Sequence, residues 1–369
     1  MDLRQLEAQI GKTGYVLENR VAQELKSAAW SVISNKYYVD DAEQTVREID
    51  LIAYQVSKVQ HFDIYTTLII SCKKSESNVW ALLSRDVNLR DPNADWWPLH
   101  TWSNDKAIHF QLNEPGTARR YHEQVARLGV ADALTRPAVE VFAFQEMSVI
   151  NGAPQNDRSI FAAVSSLMKA QGYELGALPA RKKSPSIYQF NLLSIVDAAL
   201  VRLMFNGTKV VCSSLDAEHY IARYIINKKE TFARIRFIQA DFFARALQDY
   251  GRLHLANCQW FASECDFFYA DAFKNTKKSG VLDGEFSREV GWFLSWRTER
   301  HTGTRPDLSD LFVYWHEERK LLQVSGAFGH RAIPFLNADQ EAKQRVARAL
   351  KNIYRYEGPF EFEDNEVPF

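Results

Sequence analysis

The sequence predicts a mixed α+β (α/β) fold, because two kinds of apolar spacing alternate along the chain. Leu17, Val21 and Leu25 recur every four residues, which predicts an amphipathic helix over 15–28. Strands are predicted where β-branched and other apolar residues run together, at 31–39, 48–55, 66–73 and 79–83. Interleaved helices and strands favour a mixed sheet flanked by helices.

A change of composition divides the chain. Residues 275–280 read Asn-Thr-Lys-Lys-Ser-Gly, which predicts a linker. We therefore expect a first domain over 1–274 and a smaller C-terminal α+β region over 281–369. That C-terminal region carries no motif, and a homodimer or a protein partner could form through it.

Three later segments carry predictions about local structure. Residues 218–227 are predicted to be helical. Asn337, with a glutamine three residues on, predicts the start of a helix that runs from 338 to 354. The acidic, proline-containing end at 357–369 is predicted to be a tail.

Composition excludes several classes of protein. The chain has 369 residues, of which 46% are hydrophobic and 25% charged, as in an ordinary globular protein. A net charge of −1 excludes a strongly basic, tail-driven nucleic-acid binder. The four cysteines form no C-x-x-C pair, which argues against a zinc ribbon or a thioredoxin-type site. A polar start and short apolar runs predict a cytoplasmic protein that does not enter a membrane.

Three charged residues fall in an order that suggests a reactive site. Glu18 lies on the first predicted helix, Asp50 lies inside the second predicted strand, and Lys73 ends the third. Because side chains alternate along a strand, Ser71 and Lys73 point the same way. An aspartate in an apolar strand is costly unless it is paired or holds a cation. The plain alternative is a surface ion pair between Asp50 and Lys73, which contributes little.

The order of Glu18, Asp50 and the run Ser71-Cys72-Lys73 resembles the PD-(D/E)xK nuclease superfamily, which has the restriction-endonuclease-like fold. The resemblance covers about residues 11–84. Within it, residues 68–80 are similar to the superfamily's variant in which a hydrophobic run precedes E-C-K-K-S and then W. It implies a central mixed sheet flanked by helices. It also implies a Mg²⁺- or Mn²⁺-dependent hydrolase of DNA phosphodiester bonds, in bacterial defence or DNA processing.

The resemblance also implies a role for each matching residue. Asp50 would hold the metal, Glu18 would be a further or outer ligand, and the backbone carbonyl of Cys72 could also reach the ion. Lys73 would orient or help to deprotonate the attacking water and would stabilise charge on the phosphate.

The sequence departs from the family pattern at Ser71, where the second acid of the motif is expected. A serine is a neutral, weak ligand, so metal affinity should fall. In some restriction enzymes with the same S-x-K variant, an acid on a following segment replaces the lost one. Asp86 is the first candidate for that acid here and Glu76 the second.

Two other hypotheses stay open. The site could be degenerate, and the domain would then bind nucleic acid or assemble with a partner without cutting. The near-neutral charge also allows a different α/β protein with no nucleic-acid role. Salt-sensitive DNA binding would count against that last hypothesis, because phosphate contacts release counterions.

Overall fold

A computed structural model describes residues 3–40, 43–134 and 137–365. Within these ranges the strands are β1 (Ser31–Val39), β2 (Val46–Val59), β3 (Phe62–Lys74), β4 (Asn78–Asp86), β5 (Thr101–Ser103), β6 (Val139–Ser148), β7 (Ser186–Asp197), β8 (Leu200–Asn206), β9 (Lys209–Ser214), β10 (Ala217–Ile226), β11 (Lys229–Gln239), β12 (Phe312–His316), β13 (Leu321–Gly326) and β14 (Phe360–Asp364).

The helices of the same ranges are α1 (Leu3–Ile10), α2 (Gly14–Ser27), α3 (Lys106–Asn113), α4 (Thr117–Arg127), α5 (Ala131–Leu134), α6 (Arg158–Arg181), α7 (Phe243–Ala270), α8 (Thr276–Thr302), α9 (Ile333–Ala338) and α10 (Gln340–Tyr354). The predicted mixed α+β class is confirmed. None of these helices is both long and apolar enough to cross a membrane.

The chain divides into two compact units. The first comprises Met1–Asp105 and Pro115–Trp260, and the second comprises Lys106–Glu114 and Phe261–Phe369. Each unit has its own sheets, with β1 to β11 in the first and β12 to β14 in the second.

A seven-stranded mixed sheet organises the first unit. Its order is β1-β2-β3-β7-β11-β10, and the short β5 pairs with β7. The three central strands β3, β7 and β11 run parallel, whereas β1–β2, β2–β3 and β10–β11 are antiparallel pairs. The central strand β3 reads Leu-Ile-Ile at 68–70 and is buried throughout that run, as expected for a strand covered on both faces.

Helices α2 and α6 both pack on β3 and fix the sheet around it. On α2, Leu17, Val21 and Leu25 are buried at a spacing of four residues, which confirms the predicted apolar face. On α6, the buried residues recur at the same spacing and join Ile69 and Leu192 in one apolar cluster. Burying a side chain of this size stabilises the fold by roughly 1.5–3 kcal/mol.

A second sheet in this unit has the order β6-β4-β8-β9. Strand β4 follows β3 in the chain but does not join the large sheet, and it pairs with β6 and β8 instead. Asp86, the last residue of β4, therefore belongs to this smaller sheet, opposite Val139.

The prediction of a helix over 218–227 is wrong, because that segment is β10. It pairs antiparallel with β11 from Ala217–Ile238 to Ile226–Lys229. The two strands are joined at Asn227 and Lys228, and both residues have positive φ, as a type I′ hairpin turn requires. The β-branched and aromatic residues of the segment fit a sheet better than a helix.

The second unit packs α8 and α10 with a three-stranded sheet of order β12-β13-β14. The hairpin of β12 and β13 is antiparallel, and β14 adds in parallel to β13. The tail predicted at 357–369 is therefore wrong within its described part, since Phe360 and Phe362 are buried and alternate with partly exposed acids. A period of two is the strand signal.

Two predicted boundaries in this unit are also wrong. Residues 275–280 are not a linker but the start of α8, because the Asn275 side chain accepts the Lys277 N–H at 3.0 Å and caps the helix. Asn337 does not cap the last helix. Asp339 does so, with its Oδ1 accepting the Glu341 N–H at 3.0 Å.

Candidate active site at the diverging ends of β2 and β3

The candidate site lies where β2 and β3 separate. Their main-chain pairing runs from Val59–Phe62 to Leu51–Ile70 and ends there. Beyond Ile70, β3 keeps β7 along one edge as far as Lys74, while β2 diverges from the other. The divergence leaves the main chain of residues 71–73 facing a gap next to β2.

The Asp50 carboxylate takes over the pairing that the β2 main chain gives up. Its Oδ2 accepts the Cys72 N–H at 2.7 Å, and Lys73 Nζ lies 3.7 Å from the same oxygen. On the neighbouring strand β1, Asn35 lies opposite Asp50. Its φ is 53°, a left-handed conformation that asparagine tolerates. Asp50 is thus held by a main-chain donor and faced by a lysine ammonium, as the sequence predicts for its neighbourhood.

Helix α2 brings Glu18 to the same gap. The pKa of Glu18 is raised, first by burial and then by the negative charge of Asp50, while Lys73 opposes the shift and Glu48 adds to it. These effects require the carboxylates to be near neighbours. Two acids that repel each other beside one lysine are poised to gain from a bound cation.

Cys72 contributes its main chain to the site and not its thiol. Burial raises the pKa of this thiol well above its usual range, and the charges of Asp50 and Glu18 raise it further. The thiol therefore stays protonated and is a poor metal ligand or nucleophile. Because the N–H and carbonyl of one strand residue point to the same neighbouring strand, the Cys72 carbonyl faces the gap beside Asp50.

The hydroxyl of Ser71 supports a hydrated ion at this place. Its Oγ is buried and makes no hydrogen bond to any residue that the structure describes. A buried polar atom of this kind is usually satisfied by ordered water. Mg²⁺ binds through one or two carboxylates and keeps several waters. Two carboxylates, a main-chain carbonyl and an unsatisfied hydroxyl therefore fit a hydrated Mg²⁺ or Mn²⁺.

A complete protein cage for a metal is not present in the described part of the chain, where no three His, Cys, Asp or Glu side chains converge on one point. Asp86 is exposed at the end of β4, and it is not among the charges that shift the pKa of Glu18. Glu76 pairs with Lys74 at 2.9 Å. Neither candidate for the displaced acid stands beside Glu18.

Glu48, which the sequence did not predict as a site residue, does act on Glu18, with the smallest of the four effects on its pKa. Strand alternation places Glu48 on the face of Asp50, two residues away, and its Oε1 accepts a hydrogen bond from Asn35 at 2.6 Å. The signal was therefore in the sequence.

The comparisons with known proteins add nothing to this geometry. No protein-family model, no curated protein sequence and no solved structure matches the chain.

Proposed function

We propose that this chain is a metal-dependent nuclease that hydrolyses DNA phosphodiester bonds at the gap between β2 and β3. The observation that carries the proposal is the convergence of Glu18, Asp50 and Lys73. These residues come from a helix and two strands, and they are up to 55 positions apart (73 minus 18) in the sequence. A lone ion pair between Asp50 and Lys73 does not explain why a second, repelled carboxylate is placed beside it.

Each residue has a chemical task in this proposal. Asp50 and Glu18 bind the ion, and the Cys72 N–H keeps the Asp50 carboxylate in one orientation. Lys73 holds its positive charge where a scissile phosphate would gather negative charge, and it orients the attacking water. A bound divalent ion supplies a water of lowered pKa and stabilises charge on phosphate oxygens.

The test is a cleavage assay on plasmid and single-stranded DNA in Mg²⁺ and Mn²⁺. Asp50→Ala and Lys73→Ala should each lower the rate by at least about 100-fold, as loss of a charge-stabilising group does in other enzymes. A matched control exists on the same two strands. Lys58 and Asp63 form a cross-strand pair at 3.9 Å at the other end of β2 and β3.

Lys58→Ala should therefore keep full activity, because it removes a similar ion pair away from the gap. Circular dichroism should show that all variants are folded. The proposal fails if the wild type does not cut in either metal, or if Asp50→Ala cuts as fast as Lys58→Ala.

A second candidate function is a module of the same kind that binds DNA without cutting it. Ser71 favours it, because the motif's second acid is missing and Asp86 does not take its place beside Glu18. The two functions separate in one experiment. Salt-sensitive DNA binding without cleavage in any divalent metal would support the binding module, and metal-dependent cutting would exclude it.

A further inference from the structure

A cleft in the second unit carries an inference that does not depend on the reaction proposed for the first. It lies between α8 and the segment that follows this helix, and its volume is about 500 Å³. Trp292 forms one wall and is 68% exposed, although tryptophan is among the residues most buried on average. The rings of Trp292 and Trp296 are parallel, with planes 3° apart and centroids 6.5 Å apart.

The sequence of α8 explains why this cleft forms. Ser287, Gly291 and Ser295 recur every four residues and make one side of the helix thin, so the following segment can lie directly on it. Ser295 Oγ donates to the Pro306 carbonyl at 2.5 Å, and a Cβ on Gly291 would come within 2.5 Å of the Leu308 carbonyl oxygen. The floor of the cleft is therefore main chain in close contact.

Next to this thin side runs a ridge of larger residues with the same spacing. Arg288, Trp292, Trp296 and Arg300 follow one another at every fourth position. The Arg300 guanidinium lies 5.0 Å from the centre of the Trp296 ring, and Arg288 is exposed on the cleft wall. The ridge thus places two neighbouring tryptophan rings between two arginines.

The opposite wall carries Arg305 and Asp307. Arg305 is about half exposed and lies 3.9 Å from Glu299, a loose contact that a phosphate could replace. The Asp307 carboxylate accepts the Ser309 N–H at 3.0 Å. The Asp307 carboxylate can also accept a hydrogen bond from an amino group of a base.

We propose that this cleft binds single-stranded nucleic acid, with a base stacked on Trp292 and phosphates held by Arg288 and Arg305. One exposed tryptophan ring beside two arginines matches what a single strand offers, since every base has a flat face and every linkage a negative charge. The ligand class follows from charge complementarity, because the cleft presents the positive charges of Arg288 and Arg305 beside an exposed tryptophan ring.

The test measures fluorescence anisotropy of a labelled oligothymidylate of about 12 nucleotides, bound to the full chain in EDTA so that no metal-dependent cutting occurs. Trp292→Ala should weaken binding roughly 5- to 150-fold, the range for losing one stacked base, and Trp292→Phe should restore most of it. Arg288→Ala and Arg305→Ala should each reduce the slope of log affinity against log salt by about 0.7.

Matched controls lie on other surfaces of the same unit. Phe312 is an exposed aromatic residue on β12, and Arg348 is an exposed arginine on α10. Phe312→Ala and Arg348→Ala should bind as the wild type does. The proposal is overturned if Trp292→Ala binds as tightly as Phe312→Ala. It is also overturned if the wild type binds neither oligothymidylate nor oligouridylate, in which case the cleft is a docking surface for a protein. Cleavage is not part of this readout, so its outcome is independent of the nuclease assay.

Discussion

Replacing Gly291 by alanine should destabilise the second unit relative to the same replacement at Gly284. Both glycines lie in the interior of α8 and differ only in their surroundings. A Cβ at Gly284 meets nothing within 4 Å, whereas a Cβ at Gly291 would lie 2.5 Å from the Leu308 carbonyl oxygen. The pair therefore separates the effect of helix propensity from the effect of close packing.

The size of the effect follows from these distances. Alanine stabilises a helix interior by roughly 0.5–1 kcal/mol over glycine, and this gain is common to both variants. Real Cβ atoms essentially never lie closer than 3.0 Å to another heavy atom. The Leu308 main chain must therefore move by 0.5 Å (3.0 minus 2.5) to make room for the new Cβ. Two hydrogen bonds hold that main chain on α8. The Ser295 hydroxyl donates to the Pro306 carbonyl, and the Ser287 hydroxyl accepts the Leu311 N–H. Overpacking against a held backbone costs about 1–3 kcal/mol, so the two variants should differ by that amount.

Urea unfolding followed by circular dichroism measures the difference, and hydrogen–deuterium exchange of peptides from α8 locates it in the second unit. Gly284→Ala should unfold at higher urea than the wild type, and Gly291→Ala should unfold at lower urea than Gly284→Ala. Equal midpoints for the two variants would refute the close approach of α8 and the Leu308 segment.

Three further predictions concern the first unit. Lys169→Met should destabilise the fold by about 3 kcal/mol in urea unfolding, because Lys169 Nζ lies 2.6 Å from the fully buried Asp40 carboxylate and its loss takes a close positive charge away from that carboxylate. Adding Asp40→Asn removes the buried charge and should recover part of the loss. Glu18→Gln should raise the melting temperature in EDTA, since it removes a carboxylate that Asp50 repels. The same variant should abolish any stabilisation by Mg²⁺. A melting temperature below that of the wild type in EDTA would contradict the repulsion. Burial lowers the pKa of His122 to about 4, so its stabilising effect is present above pH 6.5 and is lost as pH falls from 6.5 to about 4. His122→Gln should reduce that acid loss by on the order of 3 kcal/mol, measured as urea midpoints at pH 7 and pH 4; an unchanged pH dependence would show that other groups cause it.

Much of the first unit could be predicted because its signals are local. The helix over 15–28 and the four strands that follow have strong apolar periodicity, and the structure places α2 and β1 to β4 there with boundaries shifted by a few residues. Alternation along two adjacent strands placed Lys73 as a possible partner for Asp50, and the grouping of Glu18 with them came from the resemblance to the nuclease superfamily. These features depend on short stretches of sequence, which is where pattern reasoning works best.

The errors share a different cause, which is that the deciding contacts are distant in sequence or are made by single polar atoms. Strand β10 exists because β11 pairs with it after a turn at Asn227 and Lys228, although the spacing of its own residues predicts a helix. Strand β14 forms because β13, well before it in the sequence, offers a parallel edge. The composition of residues 275–280 predicts a linker, because it does not show that the Asn275 side chain caps a helix.

The hydrogen bond from the Cys72 amide to Asp50 has a consequence for spectroscopy. The amide proton reports directly on the carboxylate, because the bond strengthens with negative charge on the acceptor and weakens when that charge is shared. A single backbone resonance, that of Cys72, should therefore move when an ion binds at Asp50, while the amides at the Lys58 end of the same strands stay in place. The divergence of β2 from β3 thus provides the protein with an internal probe of occupancy that needs no substrate.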